Sequence, residues 1–208
     1  MDLEQALAGE PVVEVAPRIS VQAGPFGIQA SPNGKLIAVT ARERADMDFQ
    51  GNTISIIDVD LARTGSPNAE AARVRVGTDD PNGQTRPFTL AWTPDGREII
   101  VANYAANNVS VVEVARALAH DPYAEVARIA VVRPLESDGT VLPSNPKGTA
   151  VTASGKYAVV SGGPRLAPDA PPSGTVWIIN LRSRAVVATV TGVGNDPYGV
   201  TILEHFAE

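Results

Sequence analysis

Cysteine is absent from this 208-residue chain, histidine and methionine each occur twice, and aromatic residues make up only 5% of it. Without cysteine there is no disulfide, no thiolate nucleophile and no sulfur ligand for a metal. That absence leaves the compartment open. No stretch matches a P-loop, GxGxxG or GxSxG. No apolar run approaches the roughly 18 residues of a membrane span. The opening MDLEQALAGEP is acidic and lacks the basic-then-apolar order of a signal peptide. This leads to the expectation of a cytoplasmic chain, or one whose leader has been removed. The net charge is −6 with both signs interspersed. Non-specific binding to a nucleic-acid backbone needs a basic surface, so that class is disfavoured. A sustained helical period is missing as well.

What the chain does contain is a repeat. SPNGKLIAVT begins at Ser31, TPDGREIIVAN at Thr93 and TASGKYAVVSG at Thr152. A proline stands nine residues before each turn glycine: Pro25 before Gly34, Pro87 before Gly96, and Pro146 before Gly155. The openings read GPFGIQA, RPFTLAW and NPKGTAV, and a fourth, DPYGVTI, follows at Pro197. Successive prolines lie 62, 59 and 51 residues apart, the length of a propeller blade or kelch-like unit.

Each unit reads as four short strands. In the first, residues 26–30 precede a Ser-Pro-Asn-Gly turn, where Pro presets φ and Gly closes a type I turn. Residues 35–40 are then apolar without alternation, the pattern of a strand buried on both faces. The spacing predicts third strands at 53–59, 109–114 and 175–181, and fourth strands at 73–76, 125–131 and 185–191. Single helical turns are expected at 4–7 and 116–120. Four-stranded meanders that need both faces covered stack around an axis, so the expected fold is all-β, a β-propeller of antiparallel blades. The units span 22–77, 84–132 and 143–192, with lone strands at 12–21 and 197–203. About three full blades fall short of the four to eight of a closed ring. The expectation is therefore a partial or open propeller, with self-association that completes the ring as one way to close it.

The segment TPDGREIIVANYAANNVSVVEV resembles the YVTN repeat, through its Pro-Asp-Gly turn, the cluster Val101-Ala102-Asn103-Tyr104, and Asn107-Asn108-Val109-Ser110-Val111. Unit one matches through Pro32-Asn33-Gly34 and Asn52-Thr53-Ile54-Ser55-Ile56-Ile57-Asp58. Unit three departs, lacking the turn proline and carrying Ser161-Gly162 in place of the asparagine cluster. The resemblance covers roughly residues 19–202. It is to lactonase-like and quinoprotein-amine-dehydrogenase-like propellers, akin to WD40 rings, whose members do unrelated things. Similar repeat proteins are often exported, and this implies a periplasmic or otherwise extracytoplasmic location.

Topology selects the site. In a four-stranded meander the loop into strand one and the loop between strands two and three share one end of the blade. The proline openings therefore ring the channel mouth, bringing Phe26, Arg86, Phe88, Asn145, Lys147, Asp196 and Tyr198 together. From turn glycine to third strand, unit two needs 12 residues, whereas units one and three need 18 and 19. The two longer loops carry Arg42, Glu43, Arg44, Asp46, Asp48, Phe49 and Arg165. Long loops on a rigid frame are where binding residues concentrate.

Arg42, Arg44, Arg86, Lys147 and Arg165 suit an anionic ligand or an acidic protein segment, since Arg pairs with carboxylates in bidentate fashion. Phe88 and Tyr198 read either as inner-rim packing or as a stacking platform, and Asp196 completes the ligand-binding set. The DDPNG run at Asp79 reads as a turn, since the distal Glu of a calcium loop is missing. Neither His120 nor His205 falls in the mouth ring, which argues against a Ser-His-acid triad or a multi-histidine metal site. The expectation is a non-catalytic binding or scaffold propeller that needs no cofactor or metal. Its partner would be a protein or small anion at the mouth, not a membrane and not nucleic acid. Two alternatives remain: a lactonase-like hydrolase drawing on Glu43, Asp46 or Asp196 as acid/base, and a redox-cofactor-associated subunit.

Overall fold

A computed structural model describes residues 3–9, 18–43, 50–80, 83–135, 139–165 and 172–203. Among the described residues twelve strands form three four-stranded antiparallel sheets in sequence order. The first holds β1 (Pro25–Ala30), β2 (Leu36–Glu43), β3 (Gln50–Asp58) and β4 (Glu70–Arg75). The second holds β5 (Pro87–Trp92), β6 (Glu98–Asn103), β7 (Asn108–Glu113) and β8 (Glu125–Ala130). The third holds β9 (Pro146–Val151), β10 (Tyr157–Gly162), β11 (Thr175–Asn180) and β12 (Ala185–Thr191). Each expected strand of the three units is present within a few residues. Short helices are α1 (Leu3–Leu7), α2 (Val59–Arg63) and α3 (Val114–Leu118). The sequence reading missed α2 and ran the third strand on to Val59. Asp58 ends that strand instead, because its carboxylate caps α2 by accepting from the Leu61 backbone N–H at 2.9 Å.

The three turns are built alike. Gly34, Gly96 and Gly155 all sit at φ +69, and each donates its N–H to the carbonyl three residues back, from Ser31, Thr93 and Thr152. The hydroxyls of those three residues in turn accept the backbone N–H that starts the next strand, at 3.0, 3.0 and 3.1 Å. Ala153 replaces the turn proline in unit three without changing this geometry.

Inner strand β5 packs between β1 and β9, so the sheets fan around a common inner side as blades. Blades one and two bury a shared layer that includes Ala38, Ile54, Ile56, Trp92, Ile99 and Val101. Blades two and three bury Ile100, Val109, Val111, Val160, Trp177 and Ile179. The middle blade is covered on both faces, with every residue of β5, β6 and β7 buried except Thr89, Glu98 and Glu113. The end blades are not, and most of β1 and β12 is exposed. A third apolar layer, Val39, Ile57, Ala62 and Ala69, lies on the outward face of blade one under Ile19 and Val21.

Polar links cross the same interfaces. Thr40 Oγ1 donates to the Phe88 carbonyl at 2.8 Å, and Thr89 Oγ1 donates to the Lys147 carbonyl. The indole N–H groups of Trp92 and Trp177 donate to the Gln29 and Val132 carbonyls at 3.1 and 2.9 Å. At the outer rim Arg184 forks onto Glu98.

The two lone strands of the sequence reading do not appear as ladder strands. Residues 12–17 lie outside the described residues, and 18–21 form no ladder. Residues 197–203 take the place of the next inner strand without a ladder partner among the described residues. An inner strand bonds only to the second strand of its own blade, and that strand is not among them.

Candidate channel-mouth site

The four proline openings share one backbone signature. The residue before each proline has positive φ: Gly24 at +66, Arg86 at +50, Asn145 at +42 and Asp196 at +50. Only glycine takes that conformation without penalty, so three side chains are held there at some cost. Proline disfavours the α-region for its predecessor. The surrounding bonds fix the alternative: Arg86 N–H donates to the Gly51 carbonyl at 2.8 Å, and Asn145 N–H to Asn107 Oδ1 at 2.9 Å. The fourth opening shows the positive φ as fully as the others, though no further strand of its blade lies among the described residues.

Side chains from these openings meet. Phe88 is the hub, 2% exposed. Its ring centroid lies 4.3 Å from Phe26, 5.6 Å from Tyr104 and 5.3 Å from Tyr198. Phe26 and Tyr198 stay 44% and 52% exposed, so the tier shows aromatic surface to solvent at both ends. Cations ride on the rings. Arg42 lies 4.9 Å above Phe26 and Arg86 5.2 Å above Tyr104, while Lys147 Nζ lies 5.5 Å from Tyr104 and 5.4 Å from Tyr198. Such contacts are worth about 0.5–2 kcal/mol each, more when desolvated.

The charges divide into two groups. At the end of β2, Arg42 forks onto Glu43, with Nε at 3.1 Å and an Nη at 2.5 Å from Oε1, and Arg86 stands 3.8 Å from the same oxygen. The hydrogen bond from Arg42, then its charge and that of Arg86, hold the Glu43 carboxyl below the ordinary carboxylate range. Deeper in, Lys147 is 2% exposed and pairs with Asp196, while its Nζ also donates to the Gly163 carbonyl at 3.0 Å. Burial, and after it the positive charge of Arg165, pull the Lys147 ammonium down to about 8, against which Asp196 holds the charged form. Arg165 itself is exposed.

Thus the structure gathers Arg42, Arg86, Phe88, Lys147, Asp196 and Tyr198 at one mouth and brings Arg165 within electrostatic reach of Lys147. Arg44, Asp46, Asp48 and Phe49 lie outside the described residues. Asn145 serves the frame, its Nδ2 donating to the Tyr104 carbonyl at 3.2 Å. Tyr104 and Glu43 complete the cluster. Tyr104 lies in the Asn103–Asn108 loop that topology sets beside the mouth, but spacing alone does not single it out, because it follows β6 rather than opening a blade. One donor stands out: Arg86 Nε–H is buried, and no protein group among the described residues accepts from it. Among the described residues four cations, Arg42, Arg86, Lys147 and Arg165, face two carboxylates, Glu43 and Asp196, an excess of two positive charges there in a chain of net charge −6.

The asparagine cluster of unit two has a different place. Asn103 Nδ2 donates to Asn108 Oδ1 at 2.8 Å and to Ser110 Oγ at 2.6 Å, and Asn108 Nδ2 donates to the Gly77 carbonyl at 2.9 Å. Glu125 accepts from both Ser110 and the Gly77 N–H. This buried net ties blade two to the end of blade one. Asp79 pairs with Arg128 at 3.1 Å, and Pro81 and Asn82 of the DDPNG run lie outside the described residues. Among the described residues no group of three or more His, Asp or Glu side chains could hold a metal ion.

No protein-family model matches the chain, and no curated protein does. Solved structures do. A hydrazine synthase from Kuenenia stuttgartiensis is similar over 91% of this chain and 42% of its own, at 21% identity and a TM-score of 0.57. U3-55K is similar over 86% of this chain and 43% of its own, at 12% identity and a TM-score of 0.61. The WD40 repeats of RRP9 are similar over 86% and 42%, also at 12% identity and 0.61. The chain spans less than half the length of these structures. At such identities the likeness concerns the fold and does not extend to the YVTN repeat or to lactonases. Three blades fanned about a common inner side, matched to such structures over most of the chain, give the described residues the fold of part of a β-propeller.

Proposed function

We propose that the protein is a non-catalytic propeller that binds an acidic protein segment at the channel mouth. The observation that carries this reading is Arg86. Its side chain is 28% exposed, with the guanidinium stacked on Tyr104, and keeps a buried Nε–H that no described protein group satisfies. An unmet buried donor costs about 1–3 kcal/mol, which a ligand carboxylate would relieve once the guanidinium turns its Nε edge outward. The excess of positive charge steers such a ligand toward the mouth. Exposed faces of Phe26 and Tyr198 would take its apolar or aromatic side chains.

The hydrolase alternative fits the site less well. A general base needs a carboxylate that is free and has a raised pKa. Glu43 is held by Arg42 in the opposite direction, and Asp196 is committed to Lys147.

Octapeptides in which Asp and Glu flank a single Phe provide the test, with Asn/Gln versions as controls, by isothermal titration calorimetry. The acidic peptides are expected to bind and to weaken with added salt, while the controls do not bind. Charge reversal at the exposed Arg165 should weaken binding on the order of tenfold or more, the scale of a charged hydrogen bond, with little change in Tm. Equal binding of acidic and neutral peptides, or a Tm that falls in step with affinity, would sink the reading.

A further inference from the structure

A groove repeats along the outer rim of the blades. Between β4 of blade one and the α3–β8 segment of blade two it has a volume of about 450 Å³. Arg73 and Arg75 line it from β4, and His120, Tyr123, Glu125 and Arg128 line it from blade two. Its floor includes the buried Val74 and Ala117. A second groove, of about 420 Å³, lies one blade earlier. Moving back 55 residues takes Arg128 to Arg73, Glu125 to Glu70, Pro122 to Pro67 and His120 to Gly65, and all four of these line the second groove. The frame is the same in both, since Arg73 pairs with Glu70 and Arg128 with Glu125.

The side chains set on that frame differ. Helices α2 and α3 end alike: Gly65 N–H donates to the Ala62 carbonyl at 3.1 Å, and His120 N–H to the Ala117 carbonyl at 3.0 Å. The next N–H groups, of Ser66 and Asp121, close onto the Leu61 and Arg116 carbonyls at 3.0 Å each. This double closure needs a left-handed residue, which glycine supplies without strain. Gly65 stands at φ +72 and His120 at φ +56. Unit two thus holds an imidazole where a glycine would do, and strain of this kind gathers at binding sites. In blade three the left-handed residue of the same connection, Arg184 at φ +55, is committed to Glu98. The His120 imidazole lines the groove and has no partner among the described residues. The same 55-residue step puts Tyr123, 75% exposed, in the place of Asn68, and Arg75 in the place of Ser20.

We propose that the groove between blades one and two binds a small carboxylate carried on a flat ring. Arg128 is spent, held by both Asp79 and Glu125. Arg73 gives Nε and one Nη to Glu70 and keeps its other Nη free among the described residues. Arg75 lies two residues along, on the same side of β4, and has no counter-charge among the described residues. These two guanidiniums can hold one carboxylate through charge-assisted hydrogen bonds. Asp79, Asp121 and Glu125 also line the groove, and their charges disfavour a dianion such as a phosphate ester. The ring would lie over Val74 and Ala117 and stack on the exposed face of Tyr123 beside His120. The volume falls in the range of small-molecule sites, about 300–1,000 Å³. The groove lies on the outer rim, apart from the channel mouth, and its ligand is independent of the peptide proposed there.

The test titrates naphthoate into the whole isotope-labelled chain and follows backbone amide shifts by NMR, with the neutral naphthamide as control. Naphthoate at millimolar concentration is expected to shift the amides of Arg75, His120 and Tyr123 and to leave those of Phe88 and Tyr104 in place. Naphthamide should bind about tenfold more weakly, the scale of a charged hydrogen bond. Arg75→Gln should weaken naphthoate by about the same factor and leave naphthamide unchanged. His120→Gly should weaken naphthoate while Tm holds or rises, because glycine takes the left-handed conformation freely. A Tm that falls with the affinity in His120→Gly would assign that residue to packing and overturn its part in the site. No shift at the groove amides, shifts confined to the mouth, or equal affinity for the acid and the amide would each overturn the proposal.

Discussion

Lys147 shows how one residue type takes opposite roles by position. Lysine is almost never fully buried unless paired, and here it pairs with Asp196 under the rings of Tyr104 and Tyr198. Its sequence position in the third opening made it a ring member, while its depth makes it a brace between two openings. The lowered pKa has a consequence of known sign. The unfolded chain keeps this proton up to about 10.5, whereas the folded chain releases it near 8. Between those values the unfolded state binds more protons, so rising pH favours the folded state. The Tm of the wild type should therefore rise relative to that of Lys147→Met between pH 8 and 10, and run parallel to it below pH 8. Melting curves of the two proteins across that range decide the matter. A constant offset would mean that Asp196 outweighs burial and that Lys147 stays charged.

At the scale of elements, the join between blades one and two rests on Gly77. It sits at φ +83, where an L side chain is strained, and a Cβ there would meet the Thr85 methyl and the Asn103 amide. Its N–H and carbonyl are both taken by the net of Glu125 and Asn108. Gly77→Ala should cost about 1–3 kcal/mol or more, combining backbone strain with disruption of buried hydrogen bonds. Chemical denaturation measures it, and a loss below about 0.5 kcal/mol, the scatter of neutral surface changes, would show that the net relaxes freely. The helix α2 teaches a related lesson. Asp58-Val-Asp-Leu-Ala-Arg carries its own N-cap, yet the apolar run before it pointed to a longer strand. Local capping chemistry won at the boundary, where period alone is weakest.

At the scale of the whole molecule, stability is concentrated between blades rather than within them. Trp177 is 0% exposed, packed with Ile100, Val109 and Val160, and bonded to the Val132 carbonyl. Trp177→Ala should cost about 3–5 kcal/mol and loosen blade three from blade two while the strands themselves persist. Hydrogen exchange would then rise at the backbone amides of β9 to β12 ahead of those in β1 to β4. Uniform exchange across all three blades would instead mean that the arc unfolds as one body.

The repeat of turn, proline and two-sided apolar strand was enough to determine the blades, their order and the end of each blade that carries the mouth. These follow from local chemistry: proline and glycine set the bends, and the apolar run sets burial on both faces. The sequence also placed Phe26, Arg86, Phe88, Lys147, Asp196 and Tyr198 at one mouth, because strand alternation and loop parity are fixed by topology. Which of them would face a ligand was decided only by tertiary structure. Depth differs along openings with the same spacing, leaving Phe26 half exposed and Lys147 enclosed. The asparagine cluster was legible as a motif, but its work as a bracket on Gly77 depends on a carbonyl 31 residues away in sequence. Contacts between blades come from distant parts of the chain, and no local pattern encodes the distance at which they meet.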